Sequence, residues 1–174
     1  MTEERLEVLI GRHRIRERVA ELAADISRDY MGKDLLVLCV LKGAVIFLAD
    51  LLCGLTVTAA VDFIAASSYD GDKSAGEVRL SPVFSTDIAN RDVLVIEDII
   101  DTGLTYKALS GMLLERRPAS LRLCALLDKA SERRVAQTKP DYVGFVIGDS
   151  FVVGYGLDYR ERYRNLQDIC ALTT

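Results

Sequence analysis

The sequence predicts an α/β fold, a twisted and mainly parallel sheet flanked by helices, with a small cap formed by the chain ends. Two apolar runs, Leu35 to Val40 and Val93 to Ile96, read as strands buried on both faces. Each leads within a few residues into a helical pattern, and strands alternating with helices at this spacing imply parallel pairing with right-handed crossovers. The chain has 174 residues, within the ~100 to 200 common for one domain, so residues 1–174 are expected to form a single one.

Taken in order, Leu6 to Ile10 reads as a short extended start. Ile15, Val19, Leu22 and Ile26 then recur at steps of four, three and four, the stripe of an amphipathic covering helix that Gly32 can end. After the first buried strand, Leu41-Lys42-Gly43 leads into a helical segment from Ala44 to Cys53. Val57 to Ala66 and Glu77 to Phe84 predict two further strands, and the polar stretch between them, Ser67 to Ser74, lacks apolar anchors and is expected to be mobile. The second buried strand is followed by a turn over Asp101 to Thr105, a helix from Tyr106 to Arg116 and a strand from Leu121 to Leu127. From Pro140 onward the pattern changes to short strands, Tyr142 to Ile147, Phe151 to Tyr155 and Leu166 to Leu172, so this end is expected to cap the same domain.

Composition excludes several functions. The formal net charge is -4, which argues against a surface built to neutralise many phosphates, so no nucleic-acid partner is expected. Arg12, Arg14, Arg16 and Arg18 alternate along a helix with Glu17 and Glu21 interleaved, and read as a solvated face. Cys39, Cys53, Cys124 and Cys170 form no CxxC pair and sit in apolar surroundings, the pattern of small buried hydrophobes in a reducing compartment. The start, Met1-Thr2-Glu3-Glu4, has no secretory pattern, and the longest apolar stretch, Leu35 to Leu41, falls far short of the ~20 residues needed to span a bilayer. A cytoplasmic location with no membrane contact is therefore expected.

The chemistry concentrates in Val93-Leu94-Val95-Ile96-Glu97-Asp98-Ile99-Ile100-Asp101-Thr102-Gly103-Leu104-Thr105. Ligands of open parallel sheets bind just past the carboxyl ends of strands, and here three carboxylates follow an uncharged strand. Thr102, Gly103 and Thr105 then supply hydroxyls and permissive backbone at a helix amino end, where unpaired amides and the helix dipole attract phosphate. Carboxylates beside such a cradle can accept hydrogen bonds from sugar hydroxyls and share a magnesium ion with substrate oxygens, which suggests a ribose phosphate. Helix capping by Asp101 or Thr102 would leave Glu97 and Asp98 unexplained. The Asp-Thr-Gly of an aspartic protease would require two copies in a β-rich fold, and one is present. His13, the single histidine, lies on a polar helix face and is given no role; no nucleophile constellation supports hydrolase chemistry.

The acidic pair, Ile-Ile-Asp-Thr-Gly-Leu-Thr, Lys129 and Phe151-Val152-Val153-Gly154-Tyr155-Gly156-Leu157-Asp158-Tyr159 together resemble the hypoxanthine (guanine) phosphoribosyltransferases of the type I phosphoribosyltransferase fold. Val40-Leu41-Lys42-Gly43, Val61-Asp62-Phe63-Ile64, Ser68-Tyr69 and Lys139-Pro140-Asp141 fall in the same order, so the resemblance covers nearly the whole chain. It implies transfer of the 5-phosphoribosyl group from phosphoribosyl pyrophosphate to hypoxanthine, and to guanine, with Mg2+ as cofactor.

The resemblance also implies roles. Glu97 and Asp98 would hold the ribose hydroxyls and magnesium, Asp101, Thr102, Gly103, Leu104 and Thr105 would wrap the 5'-phosphate, and Asp101 would accept the proton from N7 of the base. Lys129, Phe151, Val152 and Asp158 would bind the purine, with Asp158 also near magnesium; Lys129 would donate to O6 and so reject adenine. Lys42, Gly43 and Arg164 would bind pyrophosphate, with a cis peptide at Leu41-Lys42. Ser68 and Tyr69 would belong to a lid, and residues from about 149 to 174 to a base-binding cap. The family commonly forms homodimers or homotetramers. Taken alone, Lys129 reads more simply as a strand-end lysine and Phe151 as core. Arg133 and Arg134 read as an intersubunit pair or as exposed, outside the site. Two other readings stand beside this one: a transferase specific for xanthine or guanine, and a regulator of the same fold that senses phosphoribosyl pyrophosphate and binds nucleic acid. The acidic net charge and the complete residue set, Asp101 included, count against the regulator.

Overall fold

The computed structural model describes residues 4–68, 78–81, 85–130, 134 and 138–173. In chain order the elements are β1 (Arg5–Ile10), α1 (Arg12–Asp29), β2 (Leu35–Leu41), α2 (Val45–Gly54), β3 (Ala59–Ser68), β4 (Val78–Ser81), β5 (Asp92–Ile100), α3 (Leu104–Leu114), β6 (Ser120–Lys129), β7 (Tyr142–Ile147), β8 (Val152–Val153) and β9 (Ile169–Thr173). The main sheet has the order β4-β3-β2-β5-β6-β7. Its pairs are parallel except β4, which runs antiparallel on the outer edge of β3. From β2 the chain winds outward to β3 and β4, then returns to the other side of β2 to lay down β5. The strand order therefore reverses between β2 and β5, and in an open α/β sheet the crevice at that point is where ligands bind.

The unbroken apolar runs follow from burial on both faces. Leu35, Val37 and Cys39 of β2 and Leu94 and Ile96 of β5 point to the core shared with Ile15, Val19, Leu22 and Ile26 of α1 and Phe47, Leu48 and Leu51 of α2. Their alternates, Leu36, Leu38 and Val40 with Val93 and Val95, pack with Leu109 and Leu113 of α3 on the opposite face. The period of two along each strand thus divides one apolar run between two cores. The chain ends meet in a second sheet of order β1-β9-β8, antiparallel throughout, which is the cap.

Several expectations are corrected. β5 does not stop at Ile96: its pairing with β2 ends there, but pairing with β6 continues to Ile100, so Glu97 and Asp98 lie within the strand. β6 likewise extends through Lys129. β7 joins the main sheet beside β6 rather than the cap. The strand expected over Phe151 to Tyr155 is confined to Val152 and Val153, because Gly154, Tyr155 and Gly156 all adopt left-handed φ values of 97°, 50° and 102°. Of the strand expected from Glu77 to Phe84, Val78–Ser81 forms β4, and Glu77 and residues 82–84 lie outside the described residues, as do residues 69–74 of the polar stretch.

The arginine row of α1 is not simply a solvated face. Arg12 donates to Gln167 and, through its backbone, to Asp168; Arg14 lies over the Phe145 ring; Arg18 donates to the carbonyls of Val143 and Gly144. Alternate residues on a helix point in different directions, so the row ties α1 to both the cap and β7. Cys39, Cys124 and Cys170 are buried, whereas Cys53 near the end of α2 is exposed; all four are free thiols. No helix of the described residues is long and apolar enough to cross a membrane.

Leu22 is 1% exposed between α1 and the sheet. Leu22→Ala is expected to cost about 2–5 kcal/mol, lowering the melting temperature by about 5–15 °C at this chain size. Calorimetry checks this, and the refolded fraction should retain its activity because α1 lies away from the switch-point crevice.

Candidate active site

The crevice at the reversal of strand order is built from three segments that converge on Gly43. β2 ends at Leu41, and the chain enters α2 through Lys42, Gly43 and Ala44, with the Leu41–Lys42 peptide cis. A methyl group placed on Gly43 would lie 1.6 Å from Oδ2 of Asp98, so only glycine lets the turn lie against the end of β5. From the cap, Gly156 approaches equally closely: a Cβ there would meet the Gly43 carbonyl at 2.1 Å. The cap, the turn after β2 and the acidic end of β5 are thereby locked together.

Glu97 and Asp98 are successive strand residues and so leave opposite faces of β5. Glu97 is 3% exposed and its Oε1 has no hydrogen-bond partner among the described residues. Burial, reinforced by the neighbouring Asp98 charge, pushes its carboxyl up to about 8. Burial likewise raises Asp98 to about 6, although one of its oxygens accepts from the Ile99 amide at 2.9 Å. Two carboxyls this poorly solvated form a donor set for a hard cation. Among the described residues no three His, Cys, Asp or Glu side chains converge as a metal cage, so a cation there would draw part of its coordination from substrate oxygens.

Beyond β5 the chain turns through Asp101, Thr102 and Gly103 into α3. Gly103 is the N-cap residue with φ 78° and no side chain caps the helix, so capping does not account for Asp101. Thr102 Oγ1 accepts from the Leu104 amide at 3.3 Å, tightening the turn. The first amides of α3 thus face the crevice with the positive end of the helix dipole, an anion site.

Lys129, at the end of β6, is 6% exposed, and its Nζ lies 3.8 Å from Asp101 and 3.3 Å from Asp149. It is therefore a buried cation held between carboxylates, not the exposed strand-end lysine that spacing alone suggests. On the cap side, Arg164 pairs with Asp158 at 2.7 Å and donates to the Gly156 carbonyl at 2.8 Å. Glu161 bridges Lys42 and Arg164. Phe151 is 51% exposed and stands edge-on to Tyr159 with centroids 5.6 Å apart, whereas Val152 is buried in β8. Phe151 is thus not a core residue.

An open cleft of about 660 Å³ unites Lys42, Gly43, Glu97, Asp98, Asp101, Thr102, Gly103, Thr105, Asp158 and Arg164 along its lining. Leu104 begins α3 behind them, and Lys129, Phe151 and Val152 lie outside that lining. Ser68 ends β3 opposite Val78. Tyr69 and Arg133 lie outside the described residues. Sequence reasoning missed Glu161, Asp149, Thr138 and Arg134. Arg134 is neither exposed nor outside the structure of the site: it pairs with Asp128 and donates to the carbonyls of Ile100, Lys129 and Thr138. Thr138 packs under Gly103, whose Cβ would come within 2.8 Å of its Oγ1. None of these four sits in a motif with its own signature, and their contacts arise only when separate segments fold together.

The fold is an α/β sheet, parallel but for its β4 edge, with an acid-bearing crevice where its strand order reverses. Residues 10–160 match the phosphoribosyl transferase domain family, and the chain belongs to it. More narrowly, it is 48% identical over 160 residues to the hypoxanthine-guanine phosphoribosyltransferase of Lactococcus lactis, covering 91% of this chain and 86% of that one. It is 44% identical over 159 residues to the hypoxanthine-guanine-xanthine phosphoribosyltransferase of Tritrichomonas foetus, covering 91% and 87%. The crystal structure of a hypoxanthine-guanine phosphoribosyltransferase from Bacillus anthracis superposes with a TM-score of 0.91 at 40% identity, covering 99% of this chain and all of that one.

The raised Glu97 carboxyl has a stability consequence with a definite sign. Unfolded, the group ionises from its ordinary 4.5; folded, it stays protonated to about 8. The native state binds the extra proton in between, so stability contributed by this group falls as pH rises across that window and is fully lost above it. Glu97→Gln is therefore expected to melt higher than the parent protein at pH 8 and to lose that advantage toward pH 4.5. Melting curves across this range without added metal check the trend; a constant difference would contradict it.

Proposed function

We propose that this protein transfers the 5-phosphoribosyl group from phosphoribosyl pyrophosphate to hypoxanthine, and to guanine, forming IMP or GMP and pyrophosphate in purine salvage. The observation that carries this reading is the sequence of groups along one crevice. Glu97, buried, and Asp98, half-buried, lie near the end of β5, a turn suited to an anion opens α3, and a buried lysine at the end of β6 stands 3.8 Å from the turn's first carboxylate. The relatives named for these bases share the fold over nearly the whole chain.

In this reading the turn from Asp101 to Thr105 holds the 5'-phosphate through its amides and hydroxyls, with Leu104 contributing backbone. Glu97 and Asp98 face the ribose hydroxyls and, with Asp158 across the cleft, a magnesium ion. Lys42, Gly43 and Arg164 receive the pyrophosphate. A bound magnesium ion would neutralise charge on the leaving pyrophosphate. As the C1'–oxygen bond breaks, positive charge grows on the sugar ring, and the carboxylate charge of Asp98 stabilises it more in the transition state than in the ground state. N9 of the base takes over C1', and Asp101 accepts the N7 proton. Lys129 donates to O6 of the purine, and Phe151 stacks on its ring while the backbone at Val152 meets its edge. Adenine would present an amino donor to that ammonium and is rejected. Ser68 and Tyr69 belong to a lid over the reacting sugar, and residues from about 149 to 174 act as the base-binding cap of one domain spanning 1–174.

The four free thiols support a reducing, cytoplasmic setting. Val61 and Phe63, 37% and 43% exposed on one face of β3, support assembly with further copies of the chain, as a homodimer or homotetramer.

The test mixes protein, magnesium and phosphoribosyl pyrophosphate with hypoxanthine, guanine, xanthine or adenine and follows nucleotide and pyrophosphate release. Turnover of hypoxanthine or guanine without adenine is expected; binding of the sugar pyrophosphate without turnover of any base would sink the proposal in favour of a regulator. Asp101→Ala is expected to lower kcat by roughly 10²- to 10⁴-fold, the usual scale for a lost general base. Equilibrium binding of phosphoribosyl pyrophosphate should survive that change, and an unchanged kcat would remove Asp101 from proton transfer.

A further inference from the structure

We infer that Glu161 is an internal competitor for the pyrophosphate subsite, a carboxylate that occupies the two cations receiving that group and so sets how tightly it is held. This inference rests on the assignment of Lys42 and Arg164 to pyrophosphate proposed above.

The geometry is specific. The Lys42 Nζ lies 3.2 Å and 3.3 Å from the two carboxylate oxygens of Glu161, and Arg164 Nη2 lies 3.3 Å from Oε2. One carboxylate therefore spans a lysine from the turn after β2 and an arginine from the cap, 119 and 3 residues away in sequence. A phosphate group between the same cations would make the same two contacts with more oxygens and more charge. The backbone holds the carboxylate there: Arg160 and Glu161 both adopt left-handed φ values, 54° and 61°, and the Glu161 amide donates to Asp158 Oδ2 at 2.9 Å. A non-glycine pair in this region of φ/ψ space is unusual and sets the backbone from which the Glu161 side chain reaches the two cations.

The contact is also built to release. Glu161 and Lys42 have side-chain exposures of 66% and 68%, so their pair is screened by water and each partner can swing away at small cost. Arg164 is different: it remains fixed by Asp158 at 2.7 Å and the Gly156 carbonyl at 2.8 Å when Glu161 leaves. An incoming pyrophosphate meets a preplaced arginine and a lysine released by exchange of one anion for another. On departure the carboxylate reclaims both cations, which opposes retention of the product.

The experiment uses inorganic pyrophosphate with magnesium as the probe and the whole protein in three forms: parent, Glu161→Gln and Glu161→Asp. Calorimetric titration is expected to show pyrophosphate binding roughly three- to tenfold tighter to Glu161→Gln, the scale of two exposed ion pairs, with Glu161→Asp retaining most of the competition. In turnover, KM for phosphoribosyl pyrophosphate should fall by a similar factor while KM for hypoxanthine stays unchanged. Unchanged or weaker pyrophosphate binding by Glu161→Gln would overturn the inference, and weaker binding would identify Glu161 instead as a residue that positions the cations. A protein that binds pyrophosphate more tightly as Glu161→Gln yet turns over no purine would leave this competition standing and overturn the proposed reaction. Failure of parent and variant alike to bind pyrophosphate would overturn the inference itself.

Discussion

Burying Glu97 and Asp98 at the end of β5 is unfavourable in itself, since a carboxylate leaving water loses more than an isolated pocket returns. The fold accepts this because β5 outruns β2. Pairing with β2 ends at Ile96 while pairing with β6 runs on to Ile100, so the acids lie where β5 is no longer paired on its β2 side. The turn taken by β2 then has to pass against Asp98, which leaves room for glycine alone at residue 43. The same turn meets the cap at Gly156, so the acid pair also determines where the chain ends come to rest over the crevice. A difference of a few residues in strand length thus sets the position of the acids, the turn after β2 and the cap.

Charge is arranged around this pair by neighbourhood rather than by net balance. Among the described residues, three cations at or beside the cleft face carboxylates: Lys129 faces Asp101 and Asp149, Arg164 faces Asp158 and Glu161, Lys42 faces Glu161. Such pairs keep buried or half-buried charges compensated while leaving each one able to change partner. Cations compensated in this way attract anions less indiscriminately than a strongly positive surface would. The chain's formal charge of -4 is consistent with that division.

Much of the fold could be read from apolar periodicity because strands buried on both faces leave long uninterrupted runs, as Leu35 to Val40 did. Element ends were harder. Glu97 and Lys129 are charged, and a charge reads as the end of a strand, whereas both are strand residues, Glu97 lining the crevice and Lys129 compensated by Asp101 and Asp149. The joining of β7 to the main sheet was hidden for a related reason: no helical pattern separates it from β6, so spacing alone placed it with the cap. For the candidate site, the contiguous acids and the turn into α3 were picked out as candidates from chemistry, and Lys129, Phe151 and Arg164 from family resemblance. Asp149, Glu161 and Arg134 were not, because each acts across a tertiary contact that leaves no spacing to recognise.

Arg134 illustrates what such contacts contribute. Its guanidinium reaches carbonyls at Ile100, Lys129 and Thr138 together with the Asp128 carboxylate. Those are the residue before the anion turn, the lysine beside Asp101 and the threonine beneath Gly103. A planar fork of donors can satisfy several fixed acceptors at once, which a flexible lysine at the same place could not do. The end of β6 at Lys129 and the turn that follows β5 are therefore not independent modules resting on a common sheet. They share a half-buried cation, Arg134, which bonds the backbone carbonyls of Ile100 and Lys129. The ends of β5 and β6 are in this sense one structural unit, tied together by a single side chain.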